Sequence, residues 1–325
     1  MRSDLAELRT SRVTTVTCDM ASSGRALLET ALRWTPTQAF MQRRRARRLA
    51  VITYHAIRDG NVFDDHLDVL DEMGTFVSLE EVAANATNRR PLPSRPILVT
   101  FDDGDPSVLH TAAPRLHARG IPAVVFLITD LTGTDRVVWT TEVEQLVASG
   151  GRTALDPTTD GRALTRMLKG RPDDVRLQVI DELRETATGR PPTAPQLSAE
   201  DVAELGRLGV AIASHTRTHR CLTQCSDAVI DREVAGSREA LTDLLGRPPM
   251  AFAYPNGDHD GRSRRAVSRA GYAVAFGFDH RLNPIPPNDP YAISRLRMNE
   301  HASGNRVRTV VSGLHPAIHH MRGRS

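Results

Sequence analysis

Residues 97–104 read Ile-Leu-Val-Thr-Phe-Asp-Asp-Gly, an apolar run that ends in two adjacent carboxylates and a glycine. The apolar and β-branched residues of Ile97–Phe101 predict a buried strand. Asp102 and Asp103 then follow the end of that strand, where β/α folds bind their ligands. Adjacent side chains diverge there, so the two carboxylates can serve different purposes. A helix N-cap followed by a turn is the alternative, because Asp and Gly favour both.

Similar short apolar runs recur along the chain and alternate with helical patterns. Further strands are predicted over 49–54, 122–128, 210–214, 250–254, 272–276 and 291–296. Helices are predicted from Pro106 to Gly120, from a capping box at Ser198 to Gly206 or Gly209, and from Asp227 to Leu245. Strands that alternate with helices in this way predict a parallel α/β architecture.

The length of 325 residues fits either two domains or one α/β barrel. The alternation loosens over 131–197, where we predict an inserted helical segment inside the main domain of residues 49–300. An Arg-rich helical extension is predicted over 1–48, and a tail over 301–325.

A second polar motif follows the predicted strand 210–214. Ser214–His219 read S-H-T-R-T-H, and we expect two histidines four residues apart to share one side of a helical turn. Together with one carboxylate, the two imidazoles make three ligands with an open position, the layout of a catalytic divalent-metal site. Thr216 stands where an H-E-x-x-H motif carries its Glu, so that protease pattern is absent. With 12 histidines in the chain, two unrelated surface histidines are the simpler alternative.

These motifs resemble those of the polysaccharide deacetylases that contain a NodB homology domain. The matches are T-F-D-D-G over 100–104, S-H-T-x-x-H over 214–219 and F-A-Y-P-N-G over 252–257, in the same order and spacing as in the family. The similarity covers roughly residues 49–300. It implies a distorted, seven-stranded (β/α) barrel and a hydrolase that removes N-acetyl groups from an amino sugar or polysaccharide.

The resemblance also assigns roles to individual residues. Asp102 would be the general base, and the metal, usually Zn²⁺, would be bound by Asp103, His215 and His219. The same ligands accept Co²⁺, Ni²⁺ or Mn²⁺. The resemblance implies that the substrate groove is lined by Tyr254, Pro255, Asn256 and Gly257. The backbone N–H of Asn256 would help to stabilise the oxyanion.

The chain departs from the family pattern in two places. Ala253 stands where many members carry an arginine that orients the base, and the late Leu-x-His motif that supplies a general acid has no clear equivalent. One branch of the family resembles a circular permutation, with the acid in an early Tyr-His, which Tyr54–His55 match. We therefore predict His55 as the general acid. Arg295 is a candidate for the missing arginine, and Asp279 for orienting His55.

Charge balance and missing motifs argue against nucleic-acid binding, secretion and serine-hydrolase chemistry. Lys plus Arg number 42 and Asp plus Glu 39, a net charge of +3 that is too balanced to predict nucleic-acid binding. The basic run over 43–48 indicates a solvated surface or a weak contact with an anionic membrane. The N-terminus lacks an apolar signal region, so we expect a cytoplasmic protein, peripheral to the membrane at most. A serine hydrolase is disfavoured, since no G-x-S-x-G elbow is present.

Three cysteines cannot all pair with one another, which suits a reducing compartment. Cys221 and Cys225 lie close to the two motif histidines, so a Cys/His zinc site is one interpretation and buried bystander thiols the other. Trp34 and Trp139 are candidates for stacking on sugar or for the core.

Two other functions stay open from the residues alone. One is a metal-dependent hydrolase of a non-carbohydrate amide on the same scaffold, and the other is a non-catalytic carbohydrate-binding relative. Aromatic residues make up only 4% of the chain, which disfavours the second. The sequence specifies neither the particular carbohydrate nor the oligomeric state.

Overall fold

The computed structural model describes residues 47–155 and 160–313. Most of the predicted extension over 1–48, including Cys18 and Trp34, lies outside the described residues, as do residues 314–325 of the predicted tail. The basic run is described only from Arg47 onward.

Ten strands occur in the described residues. They are β1 (Arg48–Tyr54), β2 (Thr75–Phe76), β3 (Pro96–Phe101), β4 (Ala123–Leu127), β5 (Val210–Ser214), β6 (Ala251–Ala253), β7 (Val274–Gly277), β8 (Asn283–Pro284), β9 (Ile293–Ser294) and β10 (Leu296–Arg297). The sheet order is β10-β1-β3-β4-β5-β6-β7-β9, and every neighbouring pair along this path is parallel. All predicted strands are therefore present, with ends shifted by a few residues.

The barrel closes through a strand that is split at one residue. β9 and β10 lie on either side of Arg295, and β9 pairs with β7 while β10 pairs with β1. Counted as one, the split strand completes a barrel of seven strands, which confirms the predicted architecture. The two remaining strands are marginal, since β2 pairs with the start of β3 and β8 pairs antiparallel with the start of β1.

Ten α-helices occur in the described part of the chain. They are α1 (Gly60–Met73), α2 (Leu79–Asn88), α3 (Ala113–Ala118), α4 (Trp139–Ala148), α5 (Gly161–Lys169), α6 (Asp173–Thr186), α7 (Ala199–Arg207), α8 (Asp227–Leu245), α9 (Gly261–Ala270) and α10 (Gly304–Val311). The predicted capping box at Ser198 is present, with Asp201 as its partner.

The helix predicted from Pro106 begins later than expected. Asp105 accepts a hydrogen bond from the backbone N–H of Ser107, but the first helical turn is a π-turn over Val108–Ala112 that leads into α3. Pro114 has no N–H to donate to the preceding turn, which accounts for the irregular ladder there.

The described residues of the segment over 131–197, where we predicted an inserted helical segment, include three helices. They are α4, α5 and α6, which pack around an apolar cluster of their own. That cluster also includes Cys221, from the loop that follows β5. The inserted helices therefore buttress the loop that carries the two motif histidines.

Alternation along the strands decides which side chains enter the barrel. One apolar cluster draws residues from all seven strands, among them Leu98 of β3 and Ile293 of β9, and so fills the interior. Successive side chains of a strand face opposite sides, so Asp102 continues the inward row of Leu98 and Thr100. Arg295 continues the inward row of Ile293 in the same way. Both charged groups thus lie over the interior, at the carboxyl edge of the sheet.

Candidate active site

Asp102 is paired with a buried arginine. Its Oδ1 accepts a hydrogen bond of 2.6 Å from Nη1 of Arg295, and the two side chains are 1% and 0% exposed. The guanidinium also lies over the rings of Phe278 and Phe126, 4.2 and 5.3 Å from their centroids. Arg295 therefore lies beside Asp102. It occupies the place that we expected for the arginine missing at position 253.

The pair keeps Asp102 ionised. Burial by itself would raise the pKa of this carboxyl, but the Arg295 guanidinium, His215 and His55 together lower the pKa to about 2. Its second oxygen, Oδ2, is buried and accepts no hydrogen bond in the described residues. Asp102 is thus a carboxylate with one anchored oxygen and one that is unpaired.

Replacement of Arg295 by Met should destabilise the fold by about 3 kcal/mol, because it leaves a buried carboxylate without its counter-charge. Adding Asp102→Asn should recover part of this loss, since the double variant buries no charge at this position. Denaturant unfolding of the wild type, both single variants and the double variant gives the coupling energy. Strictly additive losses would show that the two groups do not stabilise each other.

Asp103, His215 and His219 converge on one point. Oδ1 of Asp103 lies 3.6 Å from Nε2 of His215 and 3.6 Å from Nε2 of His219. The ligand atoms of all three residues lie within 4.8 Å of one another. Oδ1 of Asp103 is buried with no hydrogen-bond partner in the residues that the structure describes. Two imidazoles and one carboxylate at this spacing form a donor set suited to a divalent cation.

Both imidazoles turn Nε2 towards Asp103. Nδ1 of His215 lies 2.8 Å from the carbonyl oxygen of Ala253, and since a carbonyl only accepts, Nδ1 carries the proton. In the neutral ring this tautomer places the lone pair on Nε2, the nitrogen that faces Asp103. Burial lowers the pKa of His219 to about 3, with Asp103 acting in the opposite direction, so that ring is neutral at pH 7.

The histidine motif is not a helical turn, contrary to our expectation. Thr216 and His219 have φ values of 68° and 60°, in the left-handed region, and the segment that follows β5 is an irregular loop. Asp103 and Asn256 share this conformation, with φ values of 69° and 57°. Such backbone costs about 1–3 kcal/mol a residue and is concentrated at functional sites. The imidazoles still meet, with ring centroids 4.9 Å apart.

Glu233 of α8 holds this loop in place. Its Oε2 accepts hydrogen bonds from the backbone N–H groups of Arg217 and Thr218, at 3.0 and 2.8 Å, and its Oε1 accepts one of 2.7 Å from Oγ1 of Thr218. Glu233 is not among the site residues that the sequence predicted. A signal was available, because Glu233 lies on the same helix face as the buried Ile230 and Val234, where a lone carboxylate needs a partner.

Glu233→Gln should weaken divalent-metal binding about tenfold, because an amide cannot accept all three hydrogen bonds and the loop between the two histidines would relax. Calorimetric titration with Zn²⁺ measures the affinity. Glu239→Gln, an exposed position on the same helix, is the matched control. An unchanged affinity in a folded Glu233→Gln protein would contradict the assigned support.

Trp139 also supports the histidine loop. Its indole Nε1–H donates a hydrogen bond of 2.9 Å to the backbone oxygen of His219, and Arg176 of α6 lies over its ring. The side chain is 6% exposed, so it is a core residue of the insertion and does not offer a stacking face for a sugar.

His55 and Asp279 do not form the hydrogen bond that we expected between them. His55 follows β1 at the carboxyl edge and is partly exposed, close enough to Asp102 that its charge lowers the pKa of that carboxyl. Asp279 instead pairs with Arg281 at 2.5 Å, and no hydrogen bond joins it to His55 in the described residues. The described residues therefore show Asp279 engaged by Arg281 two residues further along the chain, and its role in orienting His55 stays a prediction.

Tyr254 does not line a groove with its side chain, which corrects another expectation. It has the same orientation as Phe252 of β6, away from the barrel interior, and packs with it between the sheet, α8 and α9. It is 0% exposed, and its hydroxyl donates to the backbone oxygen of Tyr291. Strand alternation explains the difference, since only every second side chain after β6 can face the site.

The segment after Tyr254 has a sharply turned backbone. Gly257 has a φ of 80°, and a Cβ there would lie 2.4 Å from the backbone nitrogen of Phe278, so no other residue fits. Asn256 is half-buried, and its Nδ2 donates to Sγ of Cys221 at 3.3 Å. Pro255 is buried beside them. Of the four groove residues expected here, Asn256 alone keeps partial exposure at the carboxyl edge.

The two described cysteines are not part of the metal-type cluster. Cys221 and Cys225 are free, buried thiols, and burial raises the pKa of both. Sγ of Cys225 donates to the backbone oxygen of Cys221. The bystander interpretation therefore holds for these two residues.

Residues 89–275, more than half of the chain, match the family model described as polysaccharide deacetylase. The chain belongs to the polysaccharide deacetylase family. It is therefore a hydrolase of the carbohydrate N-deacetylase type. The matched range contains both motif aspartates and both motif histidines, and it excludes His55 and Arg295, which come from the strands that begin and close the barrel.

Relatives of this deacetylase share its sequence only distantly and its fold clearly. The Bacillus subtilis protein YxkH, named as a polysaccharide deacetylase, is 19% identical over 277 residues, which span 83% of this chain and 78% of YxkH. The Streptococcus pyogenes deacetylase PplD superposes with a TM-score of 0.58 at 20% identity, covering 81% of this chain and 98% of PplD. IcaB from Ammonifex degensii gives 0.57 at 20% identity, covering 82% and 97%. These likenesses confirm the barrel fold of the deacetylase.

In the part of the deacetylase that the structure describes, not one helix combines the length and the apolar character that crossing a bilayer requires.

Proposed function

We propose that this chain is a divalent-metal-dependent deacetylase that hydrolyses the N-acetyl group of an amino sugar within a carbohydrate. The observation that carries the proposal is the convergence of Asp103, His215 and His219 beside the buried Asp102–Arg295 pair. A carboxylate held ionised next to three metal-type ligands is suited to metal-assisted hydrolysis of an unactivated amide.

The three ligands fit a divalent ion. Oδ1 of Asp103 is buried and unpaired within the described residues, and the proton on Nδ1 of His215 leaves Nε2 available for coordination. Nitrogen and oxygen donors of this kind suit Zn²⁺ and also Co²⁺, Ni²⁺ or Mn²⁺. An ion bound by them would polarise the acetyl carbonyl and lower the pKa of a water molecule.

The contacts of Asp102 support its role as the general base. Arg295 anchors Oδ1 and keeps the carboxylate ionised, while Oδ2 lies 3.8 Å from Nε2 of His215, on the side of the ligand cluster. Oδ2 accepts the proton of the attacking water. His55 lies near Asp102 at the same edge and donates a proton to the departing amine, so that acetate and a free amino sugar result.

Asn256 is proposed to assist the tetrahedral oxyanion through its backbone N–H. Its left-handed φ of 57° and its position after β6, the strand beside that of His215, support this role. The side-chain amide of Asn256 already donates to Cys221, so the proposal assigns this role to the backbone N–H.

The proposal is tested by an acetate-release screen on purified, metal-analysed protein. Chitooligosaccharides, peptidoglycan fragments, nucleotide-linked N-acetyl sugars and small cyclic amides are compared after loading with Zn²⁺, Co²⁺, Ni²⁺ or Mn²⁺. We expect acetate release from at least one carbohydrate and its loss after chelation. Release from the cyclic amides alone would move the activity to the non-carbohydrate class, and binding of sugar without release under any metal would refute the enzyme.

A further inference from the structure

A cavity of about 490 Å³ adjoins the proposed active site on the side of His55. Its walls come from the segment after β1 and from the segment that runs from β10 into α10. His55 itself lines the cavity, and the pairing of Tyr54 with Phe101 places His55 and Asp102 side by side at the ends of neighbouring strands, so the cavity opens beside the place where the N-acetyl group would react. A space of this volume admits one sugar unit with a substituent.

Basic side chains outnumber acidic ones among the residues that line this cavity. Arg58, Arg297 and Arg306 line it together with the two imidazoles of His55 and His280, whereas Glu300 is the single carboxylate among its lining residues. Glu300 is engaged, because its Oε1 accepts a hydrogen bond of 3.0 Å from Nη1 of Arg58 and its Oε2 one of 2.6 Å from the backbone of Arg58. The carboxylate of Glu300 is therefore occupied by Arg58 and not by Arg297.

Arg297 takes no part in the pair of Arg58 and Glu300. It forms no side-chain hydrogen bond and no ion pair in the described residues, and it is exposed at the carboxyl end of β10. It lies two residues after Arg295 on extended chain, so it leaves the strand on the same side as the arginine that binds Asp102. A guanidinium fixed to a strand beside the reactive centre is well suited to bind a carboxylate or phosphate bidentately.

We propose that this cavity is a subsite for an anionic group of the substrate, a carboxylate or phosphate on or next to the N-acetylated sugar, with Arg297 as its principal ligand. The inference rests on the proposed function and narrows its substrate class to acidic carbohydrates. His55 belongs both to the wall of this cavity and to the proposed catalytic site, so an anion bound by Arg297 would lie beside the reacting amide.

The test compares three probes of similar size. They are neutral chitotetraose, an N-acetylglucosamine–glucuronate tetrasaccharide and a chitooligosaccharide that carries a 6-phosphate. We expect the wild type to have a kcat/KM at least tenfold higher for one anionic probe than for chitotetraose, and this ratio to fall as salt is raised. The preferred probe distinguishes carboxylate from phosphate.

Arg297→Gln should lower the ratio of anionic to neutral kcat/KM about tenfold, and Arg297→Glu should lower it further. Arg247→Gln removes the same charge from an exposed position just before β6, at the opposite end of the barrel, and should keep the wild-type ratio. Equal kcat/KM for all three probes in the wild type, or an unchanged ratio in Arg297→Gln, would overturn the subsite.

Binding measurements separate this proposal from the proposed function. Calorimetric titration of the wild type and Arg297→Gln with each probe reports affinity without turnover. If no probe releases acetate but the anionic probe binds the wild type about tenfold more tightly than Arg297→Gln, the activity fails and the subsite stands. If acetate is released and the anionic probes bind no better than chitotetraose, the subsite fails and the activity stands.

Discussion

Asp102→Asn should reduce kcat by at least about 10³-fold while the protein continues to bind one divalent ion. General-base catalysis by a positioned side chain contributes about 10²–10⁴-fold, and an amide cannot accept the proton. The ligand cluster of Asp103, His215 and His219 does not include this side chain, so metal content should persist. Acetate-release kinetics and metal analysis of the same sample provide both readouts.

The expected loss must be separated from a loss of folding. Asp102→Asn leaves Arg295 buried without its partner, so the variant is compared at a temperature where circular dichroism shows it folded. Asp71→Asn, an exposed position on α1, is the matched control and should keep wild-type turnover. Retention of more than about a tenth of the wild-type kcat by folded Asp102→Asn would remove the general base from this residue.

His215→Ala and His219→Ala should each weaken metal binding by about a thousandfold and remove activity with it. If three protein ligands share a binding free energy of about 12 kcal/mol, loss of one costs about 4 kcal/mol, which is about three orders of magnitude in affinity. Competition with a chelator of known affinity measures the change. A full equivalent of tightly bound metal in either variant would mean that the ion is held elsewhere.

Two features help to interpret these histidine variants. His215 also donates to the backbone oxygen of Ala253, so His215→Ala should lose stability as well as metal. His219 has no such additional side-chain bond in the described residues, which makes His219→Ala the cleaner test. His110→Ala, an exposed position after β3, is the control and should leave both metal affinity and turnover unchanged.

Strand positions were the most predictable part of the fold, because buried parallel strands are continuous apolar runs. The run over 97–101, for example, differs from β3 by one residue. The run over 291–296 predicts one strand, whereas the structure splits it at Arg295 into halves that pair with opposite neighbours. Local sequence could not reveal that split, because it arises from closing the barrel.

At the site, the identity of residues was more predictable than their conformation. The two motifs indicate Asp103, His215 and His219 together, and the structure places them together. The helical spacing expected for the histidines was wrong, since a period of four also fits a loop with left-handed residues. Glu233, fifteen residues beyond Thr218, reaches that loop only through the packing of α8 on the sheet, which no local pattern encodes.

The split closing strand has a consequence for biosynthesis. The arginine that partners Asp102 resides in the last segment of the barrel to leave the ribosome, almost two hundred residues after the carboxylate. A nascent polypeptide that has emerged only as far as β7 already contains Asp103, His215 and His219, yet it lacks both the seam of the barrel and the counter-charge of the base. If Asp102 is the base, as proposed, chains truncated before residue 297 should lack deacetylase activity.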